Sequence, residues 1–288
     1  MTHPGSAPTI GRTADAGPSP VAIPRGETMP RFAVILPAAG RSTRFGDSKQ
    51  KKIFAEIDGR AVWLRAVDPF IGREDVGQVV VAISPEDREL FERRYRANVA
   101  FLGIKVVEGG AERFDTIANA LEAVDASCDY VAVHDAARPC LLPEQVDAVF
   151  AAAIEHGAAL LAVAVADTLK RVGPDRRTVE TVPRAGLYGA QTPQVFRKDL
   201  LLRAYANRSK VAHAITDDAQ LVEAIGHPCF VVDGSPMNLK ITTQADLRLA
   251  AAILKARPEP KGDVPLHPFS DEKAKWDVGP KRKLEDLF

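Results

Sequence analysis

Three stretches of this chain combine small residues with charge in a way that suits an anionic ligand. The first is Pro37-Ala38-Ala39-Gly40-Arg41-Ser42-Thr43-Arg44-Phe45-Gly46, which follows directly on an apolar run. Small residues let the backbone approach a ligand closely, and successive amides can form an anion-binding nest. Arg41, Arg44, Lys49, Lys51 and Lys52 add the positive charge that a triphosphate requires. The Gly-Lys-Ser/Thr ending of a Walker loop is absent, and so is the G-x-G-x-x-G fingerprint of a dinucleotide-binding dehydrogenase. A solvated basic loop fits the same residues.

The second stretch is Val133-His134-Asp135-Ala136-Ala137-Arg138-Pro139. A carboxylate at a strand end can hold Mg²⁺ through water or bind a sugar hydroxyl, and a nearby guanidinium can pair with phosphate. An internal Asp135–Arg138 salt bridge is the structural alternative. His134 has no second histidine at ligand spacing, so no zinc site is expected and no protein metal cluster is assigned. The third stretch is Glu108-Gly109-Gly110-Ala111-Glu112-Arg113, with Thr116 one turn on. Its glycines permit close approach of a base or ribose. Thr116 can bond either a ligand or its own backbone.

Late in the chain come Gln191-Thr192-Pro193-Gln194-Val195-Phe196, Thr216-Asp217-Asp218 and Asn238-Leu239-Lys240-Ile241-Thr242. Thr216 is a candidate helix cap. Lys240, between apolar neighbours near an expected strand end, either snorkels to solvent or points into a cleft.

Placing these stretches at one site requires a sheet. Phe32–Pro37, Gln78–Ile83, Lys105–Val107, Tyr130–Val133 and Leu160–Val165 read as strands buried on both faces. Helices are expected after Ser84, where Ser84 can cap, Pro85 fits the first turn, and Glu86 and Asp87 complement the dipole. Further helices are expected at Arg113–Val124, Pro143–His156, Asp217–Ile225 and Gln244–Ala256. The alternation predicts an α/β fold with a doubly wound, mostly parallel, Rossmann-like sheet. Ligands bind beyond the carboxyl ends of such strands. Thr168–Val172 and Thr178–Pro183, around Gly173-Pro174-Asp175-Arg176-Arg177, predict a projecting β-hairpin arm within residues 167–193. A lone hairpin is barely stable in water, so a second subunit is expected to pack on it.

Residues 1–28 and 257–288 each carry five prolines among small or charged residues. Both ends are therefore expected to be disordered, leaving 29–256 as the folded domain. The 38 basic and 38 acidic side chains balance, which excludes a global field for nucleic acid or membrane and makes any anion site local. Cys128, Cys140 and Cys229 form neither a disulfide framework nor a metal pair, pointing to a reducing, cytoplasmic setting. No apolar run approaches the roughly 20 residues of a bilayer span.

In order, the Pro-Ala-Ala-Gly loop, Gly-Gly-x-x-Arg, His-Asp-Ala-Ala-Arg-Pro, Asp-Thr-x-Lys-Arg, Thr-Pro-Gln-x-Phe, Thr-Asp-Asp and Asn-x-Lys-x-Thr resemble the 2-C-methyl-D-erythritol 4-phosphate cytidylyltransferase family. The resemblance covers about residues 31–256. It implies transfer of CMP from CTP to 2-C-methyl-D-erythritol 4-phosphate with release of pyrophosphate, Mg²⁺ held mainly by the CTP phosphates, and a homodimer joined by the arm. Carried over, Ala38, Ala39, Gly40, Gly110, Thr116, Asp135 and Ala136 hold the nucleotide, and Arg44 and Lys51 neutralise the triphosphate. Asp135, Arg138, Arg184, Thr192, Thr216 and Lys240 form the polyol-phosphate pocket, with Arg184 and Lys240 orienting the attacking phosphate, and Arg184 and Thr192 reaching across the dimer. The family's Pro-Lys-Gln stands here as Gln50-Lys51-Lys52; an ungapped count selects Lys51, with Lys49 and Lys52 as substitutes. Ala111 replaces a frequent acidic residue. A ribitol-5-phosphate cytidylyltransferase and a non-catalytic nucleotide-binding scaffold are the rival readings.

Overall fold

The computed structural model describes residues 29–40, 45, 51–211 and 215–257. The chain runs through β1 (Phe32–Pro37), a 3-10 turn at Lys52–Phe54, β2 (Glu56–Ile57), β3 (Arg60–Ala61), α1 (Val62–Val67), β4 (Val76–Ile83) and α2 (Arg88–Phe101). It continues through β5 (Lys105–Glu108), α3 (Arg113–Glu122), β6 (Tyr130–Val133), α4 (Pro143–His156) and β7 (Ala158–Ala164). The remaining elements are β8 (Leu169–Val172), β9 (Thr178–Val182), β10 (Tyr188–Arg197), α5 (Lys198–Ala206), α6 (Asp218–Ala224), β11 (Phe230–Asp233) and α7 (Gln244–Lys255).

Seven strands form one sheet in the order β11-β7-β10-β6-β1-β4-β5. Every neighbouring pair is parallel except those of β10, which runs antiparallel to both β6 and β7. The expected α/β class and mostly parallel sheet are thus present. The hairpin β8–β9 forms a separate two-stranded sheet, as expected of the arm.

Alternation along the strands divides the core into two layers. Val34 and Leu36 of β1 face a layer built with Trp63, Phe91, Tyr95, Val149 and Phe150, from α1, α2 and α4. Ile35 faces the other, with Ile117, Leu121, Leu200, Leu201 and Val222 from α3, α5 and α6. With both faces covered, β1 has no polar face to show, which is why its sequence is an unbroken apolar run. Helix α4 matches its expected bounds because both ends are signalled: Pro143 opens it, and Gly157 closes it in a left-handed conformation at φ 78°.

Two capping expectations are corrected. Ser84 makes no side-chain capping bond; Pro85–Asp87 form a 3-10 turn before α2 begins. Thr216 does not cap α6. Asp217 does, accepting from the Gln220 amide, while Thr216 bonds the Gln220 side chain. A carboxylate caps at least as well as a hydroxyl and also meets the positive end of the helix. Both expected tails lie outside the described residues, apart from Arg257, which donates to the Cys140 carbonyl. No helix among the described residues is long and apolar enough to cross a membrane.

Candidate active site

The sheet order reverses at β1, whose neighbours are β4 on one side and β6 on the other. The carboxyl ends of β1, β4, β5 and β6 open there into a cleft of about 550 Å³. Its walls are Pro37–Gly40 after β1, Ser84–Glu86 after β4, Gly109–Arg113 after β5 and Asp135–Ala137 after β6, joined by Lys52, Ile53, Thr116 and Lys240. This is the switch-point crevice where open α/β sheets bind ligands.

Asp135 is the electrostatic centre of the cleft. Its Oδ2 lies 2.8 Å from Lys240 Nζ and 3.6 Å from Arg138 Nε, and its Oδ1 lies 3.8 Å from Arg113 Nε. Burial opposes ionisation of this carboxyl, but Lys240, Arg113 and Arg138 outweigh it and hold Asp135 well below the usual carboxylate range. Arg113 is fixed from behind by Asp218, whose Oδ2 accepts from Nη2 at 2.8 Å and whose Oδ1 accepts from the Tyr205 hydroxyl at 2.5 Å. Burial works against the charge of Arg113 as well, and Asp218 and Asp135 more than compensate.

A neutral hydrogen-bond chain sets the backbone beneath Asp135. The Arg138 carbonyl accepts a bond at 3.1 Å from His134 Nε2, which places the imidazole proton there. Nδ1 then accepts from the Thr192 hydroxyl at 3.2 Å, and that oxygen accepts from the Asp135 amide at 3.0 Å. Burial lowers the His134 pKa to about 4, so the ring is uncharged at neutral pH.

Packing within the protein itself also requires glycine at 109 and 110. A Cβ on Gly109 would sit 2.5 Å from Ala39 Cβ, and one on Gly110 would sit 2.3 Å from Asp115 Cβ. The close approach at Gly109 is thus between two walls of the cleft, and that at Gly110 is between the loop and the first turn of α3. Thr116 takes its structural role: its hydroxyl accepts from the Gly110 amide at 3.1 Å and donates to the Glu112 carbonyl at 3.0 Å.

Residues 32–256 match the sequence pattern of the family described as IspD, 2-C-methyl-D-erythritol 4-phosphate cytidylyltransferase. The chain is similar to the 2-C-methyl-D-erythritol 4-phosphate cytidylyltransferase of Rhodopirellula baltica, at 46% identity over 234 residues, covering 77% of this chain and 94% of that protein. It is similar to the Frankia casuarinae protein of the same description at 44% identity over 236 residues, covering 82% and 85%. The crystal structure of the Thermus thermophilus protein, also a 2-C-methyl-D-erythritol 4-phosphate cytidylyltransferase, matches with a TM-score of 0.65 and 34% identity, covering 77% of this chain and 98% of that one.

The chain belongs to the IspD family. It is accordingly an enzyme, one that transfers CMP from CTP to 2-C-methyl-D-erythritol 4-phosphate and releases pyrophosphate. Of the residues singled out in the sequence, Ala38, Ala39, Gly40, Gly110, Thr116, Asp135, Ala136 and Lys240 line the one cleft. Lys240 sits in the loop between β11 and α7 rather than at a strand end, held by the Ile241 amide bonding the Ala137 carbonyl at 2.8 Å.

Other residues fall elsewhere in this IspD chain. Arg138 is buried behind Asp135, donating to the Asn238 carbonyl at 2.6 Å, and Thr192 is buried in the hydrogen-bond chain beneath Asp135. Thr216 is exposed on the N-terminal side of α6. Arg184 is exposed at the base of the arm and donates to the Ala166 carbonyl. Arg44 and Lys49 lie outside the described residues. Lys51 is held by Asp87 at 2.6 Å and Glu86 at 2.7 Å, while its neighbour Lys52 lines the cleft. Arg113 is legible as the last residue of Gly-Gly-x-x-Arg, although that pattern alone assigns it no role. Gln194, which braces Asp217 and the amide of Asp218, lies within Thr-Pro-Gln-x-Phe, a pattern that assigns it no role, and Tyr205 carries no local signal at all.

Proposed function

We propose that CTP occupies the switch-point cleft, with its base and ribose against the small-residue backbone at 38–40 and 109–110 and its phosphates at the cations. The observation that carries this reading is that Lys52, Arg113, Asp135 and Lys240 line one cleft together with both glycine-and-alanine loops. Two anions must meet for the reaction, and the cations supply the screening that brings them together.

A phosphate oxygen of 2-C-methyl-D-erythritol 4-phosphate attacks the α-phosphorus in line. A new P–O bond forms there, the bridging bond from the α-phosphorus to the β-phosphate oxygen breaks, and pyrophosphate leaves. The phosphate dianion is already a competent nucleophile, so neither a protein nucleophile nor a general base is needed. Lys240 orients the incoming phosphate, supplying proximity. Lys52, which lines the cleft, joins Lys51 as a cation at the triphosphate, with Lys51 braced beside it by Asp87 and Glu86. Arg44 keeps its expected role beside it.

Asp135 is the buried, ionised carboxylate of the cleft, and the described residues contain no cluster of three metal-ligating side chains. That donor set fits Mg²⁺ bound mainly by phosphate oxygens and water, with Asp135 as its protein partner. When bound there, Mg²⁺ screens the triphosphate and steadies the leaving group.

The arm supports a homodimer. Val172, Val179, Leu187 and Tyr188 are exposed on it and at its return to the sheet. Arg184 at the arm's base is then the residue that reaches the neighbouring site. Thr192, consumed inside its own subunit, positions Asp135 instead. Residues 29–256 form the catalytic unit, and the free thiols of Cys128, Cys140 and Cys229 fit a cytoplasmic enzyme.

A well-folded Lys52→Met protein should lose turnover about 100-fold or more, the effect of removing one preorganised charge contact. Near-normal turnover in that variant contradicts the assignment.

A further inference from the structure

Both small-residue walls of the cleft are fastened to the end of β4, which lies between β1 and β5. The Ala38 amide bonds the Ala82 carbonyl at 2.7 Å, and the Gly109 amide bonds the Ile83 carbonyl at 2.7 Å. The next residue is Ser84, which therefore stands between the loop after β1 and the loop after β5. Its backbone is set from the other side as well. Pro85 restricts φ at the first position of the 3-10 turn, and the Ser84 carbonyl accepts from the Asp87 amide at 2.9 Å.

The Ser84 side chain is unused by the fold. It lines the cleft and is only 8% exposed, yet its hydroxyl makes no capping bond and no other hydrogen bond among the described residues. The polar atoms that are both fully enclosed and unpartnered belong to Trp63, Tyr95, Arg138 and Asn238. The Ser84 hydroxyl is not one of them, so it keeps an opening, and the opening it lines is the cleft. A hydroxyl so nearly buried gives up most of its water, which is unfavourable unless a partner bonds it.

The chemistry of that partner follows from the rest of the lining. Thr116 carries the other hydroxyl, and it already bonds the Gly110 amide and the Glu112 carbonyl. The remaining polar side chains of the lining, such as Lys52, Arg113, Asp135 and Lys240, are charged. They suit phosphates and a metal. Asp135, whose carboxylate suits a sugar hydroxyl, follows β6, across β1 from Ser84. An uncharged ring with donors and acceptors on its edge is better matched by a neutral hydroxyl, because a charge buried against it loses hydration for little return.

We propose that Ser84 is a further nucleotide-binding residue, whose hydroxyl hydrogen-bonds the polar edge of the cytosine ring between the loops at 38–40 and 109–110. This rests on the proposed placement of CTP in the cleft. A rotating hydroxyl can accept from the amino group of the ring or donate to its nitrogen or carbonyl oxygen. The contact thus holds the base without by itself choosing among pyrimidines.

The test measures dissociation constants for CTP and for ribose 5-triphosphate, which has the sugar and phosphates but no base. Ser84→Ala removes the hydroxyl, and Ser84→Cys keeps the size of the side chain while replacing the hydroxyl with a weak hydrogen-bonding group. Both variants should bind CTP about fivefold or more weakly, the size of one neutral hydrogen bond. Both should bind ribose 5-triphosphate within about twofold of the wild-type protein, because a contact to the base is missing from that ligand already. Equal losses with the two ligands assign the hydroxyl to the sugar or the phosphates and overturn the proposal. Unchanged affinity for CTP overturns it too. Gly109→Ala, which crowds the same walls, separates this contact from the functional reading. If Gly109→Ala weakens CTP binding while both Ser84 variants match the wild type, the contact alone fails. If all three match the wild type, the placement of CTP fails with it.

Discussion

Lys240 reaches from the loop before α7 to within 2.8 Å of Asp135, at the end of the central strand β6. The contact joins two distant parts of the chain across the mouth of the cleft, and it pairs the lysine proposed to orient one anion with the carboxylate around which the cations gather. Lys240→Met should raise KM for the polyol phosphate and cut kcat/KM about 100-fold or more, with CTP binding affected far less. Asp135→Asn should impair both substrates, since Arg113, Arg138 and Lys240 then face one another without the charge that gathers them. Steady-state kinetics against each substrate separates the two patterns, and equal loss of both substrates in Lys240→Met contradicts its role.

Gly109→Ala tests the packing of the nucleotide walls. The added methyl meets Ala39 Cβ at 2.5 Å and the Thr116 side chain at 3.0 and 3.1 Å, so the loop after β1 must move. Overpacking of this kind costs about 1–3 kcal/mol. By that figure, KM for CTP should rise about tenfold while thermal unfolding stays cooperative. A variant with unchanged KM shows that the loop yields without disturbing the nucleotide.

The buried neutral His134 gives a signed pH dependence. Its pKa is lowered to about 4 in the folded protein against an ordinary value of 6.5, so the unfolded chain binds the proton more readily. Stability from this group is complete above about pH 6.5 and declines as pH falls towards 4, by up to about 1.4 kcal/mol per unit. Asp135 adds a further loss at lower pH, because its folded-state pKa lies below its unfolded one. Urea unfolding between about pH 7 and about pH 5 should show this slope, and His134→Gln should flatten it by about one proton. An equal slope in both proteins contradicts the neutral-imidazole chain.

The arm supplies an assembly prediction. Val179 is 68% exposed on β9. Val179→Glu should convert a dimer to a monomer in sedimentation and, through loss of Arg184 from the neighbouring site, reduce turnover without changing the far-ultraviolet circular dichroism spectrum. A wild-type chain that sediments as a monomer at micromolar concentration contradicts the arm's proposed use.

The sequence is most readable where one local rule suffices. Strands β1 and β6 and helix α4 appear at their expected bounds, because continuous apolar runs and a Pro-to-Gly span leave little choice. Strand β10 is not among the expected strands. Its residues 191–194 are Gln, Thr, Pro and Gln, and Pro193 cannot donate to a ladder. The strand survives because its pairing with β7 shifts between Ala190 and Gln194 and its polar side chains are used: Gln191 bonds the Ser235 carbonyl, Thr192 the Asp135 amide, and Gln194 the start of α6.

The site shows the same division. Small residues after β1 and β5 point to a cleft, and Asp135 and Lys240 line it. Counting along the chain puts Lys51 and Lys52 side by side, and only the 3-10 turn and Asp87 show that the two side chains meet different neighbours. Arg138 and Thr192 carry the residue types of ligand contacts, and the fold shows what the motifs do not, that both are buried against Asp135.

Pyrophosphate release measured with each of the common ribonucleoside triphosphates, with and without 2-C-methyl-D-erythritol 4-phosphate, tests the central claim most directly. The cleft and its cations predict release from CTP alone, only when the polyol phosphate is present, in stoichiometric step with a cytidine diphospho-polyol product. Release from another nucleotide at a similar rate, a preference for ribitol 5-phosphate, or CTP binding without turnover would contradict it.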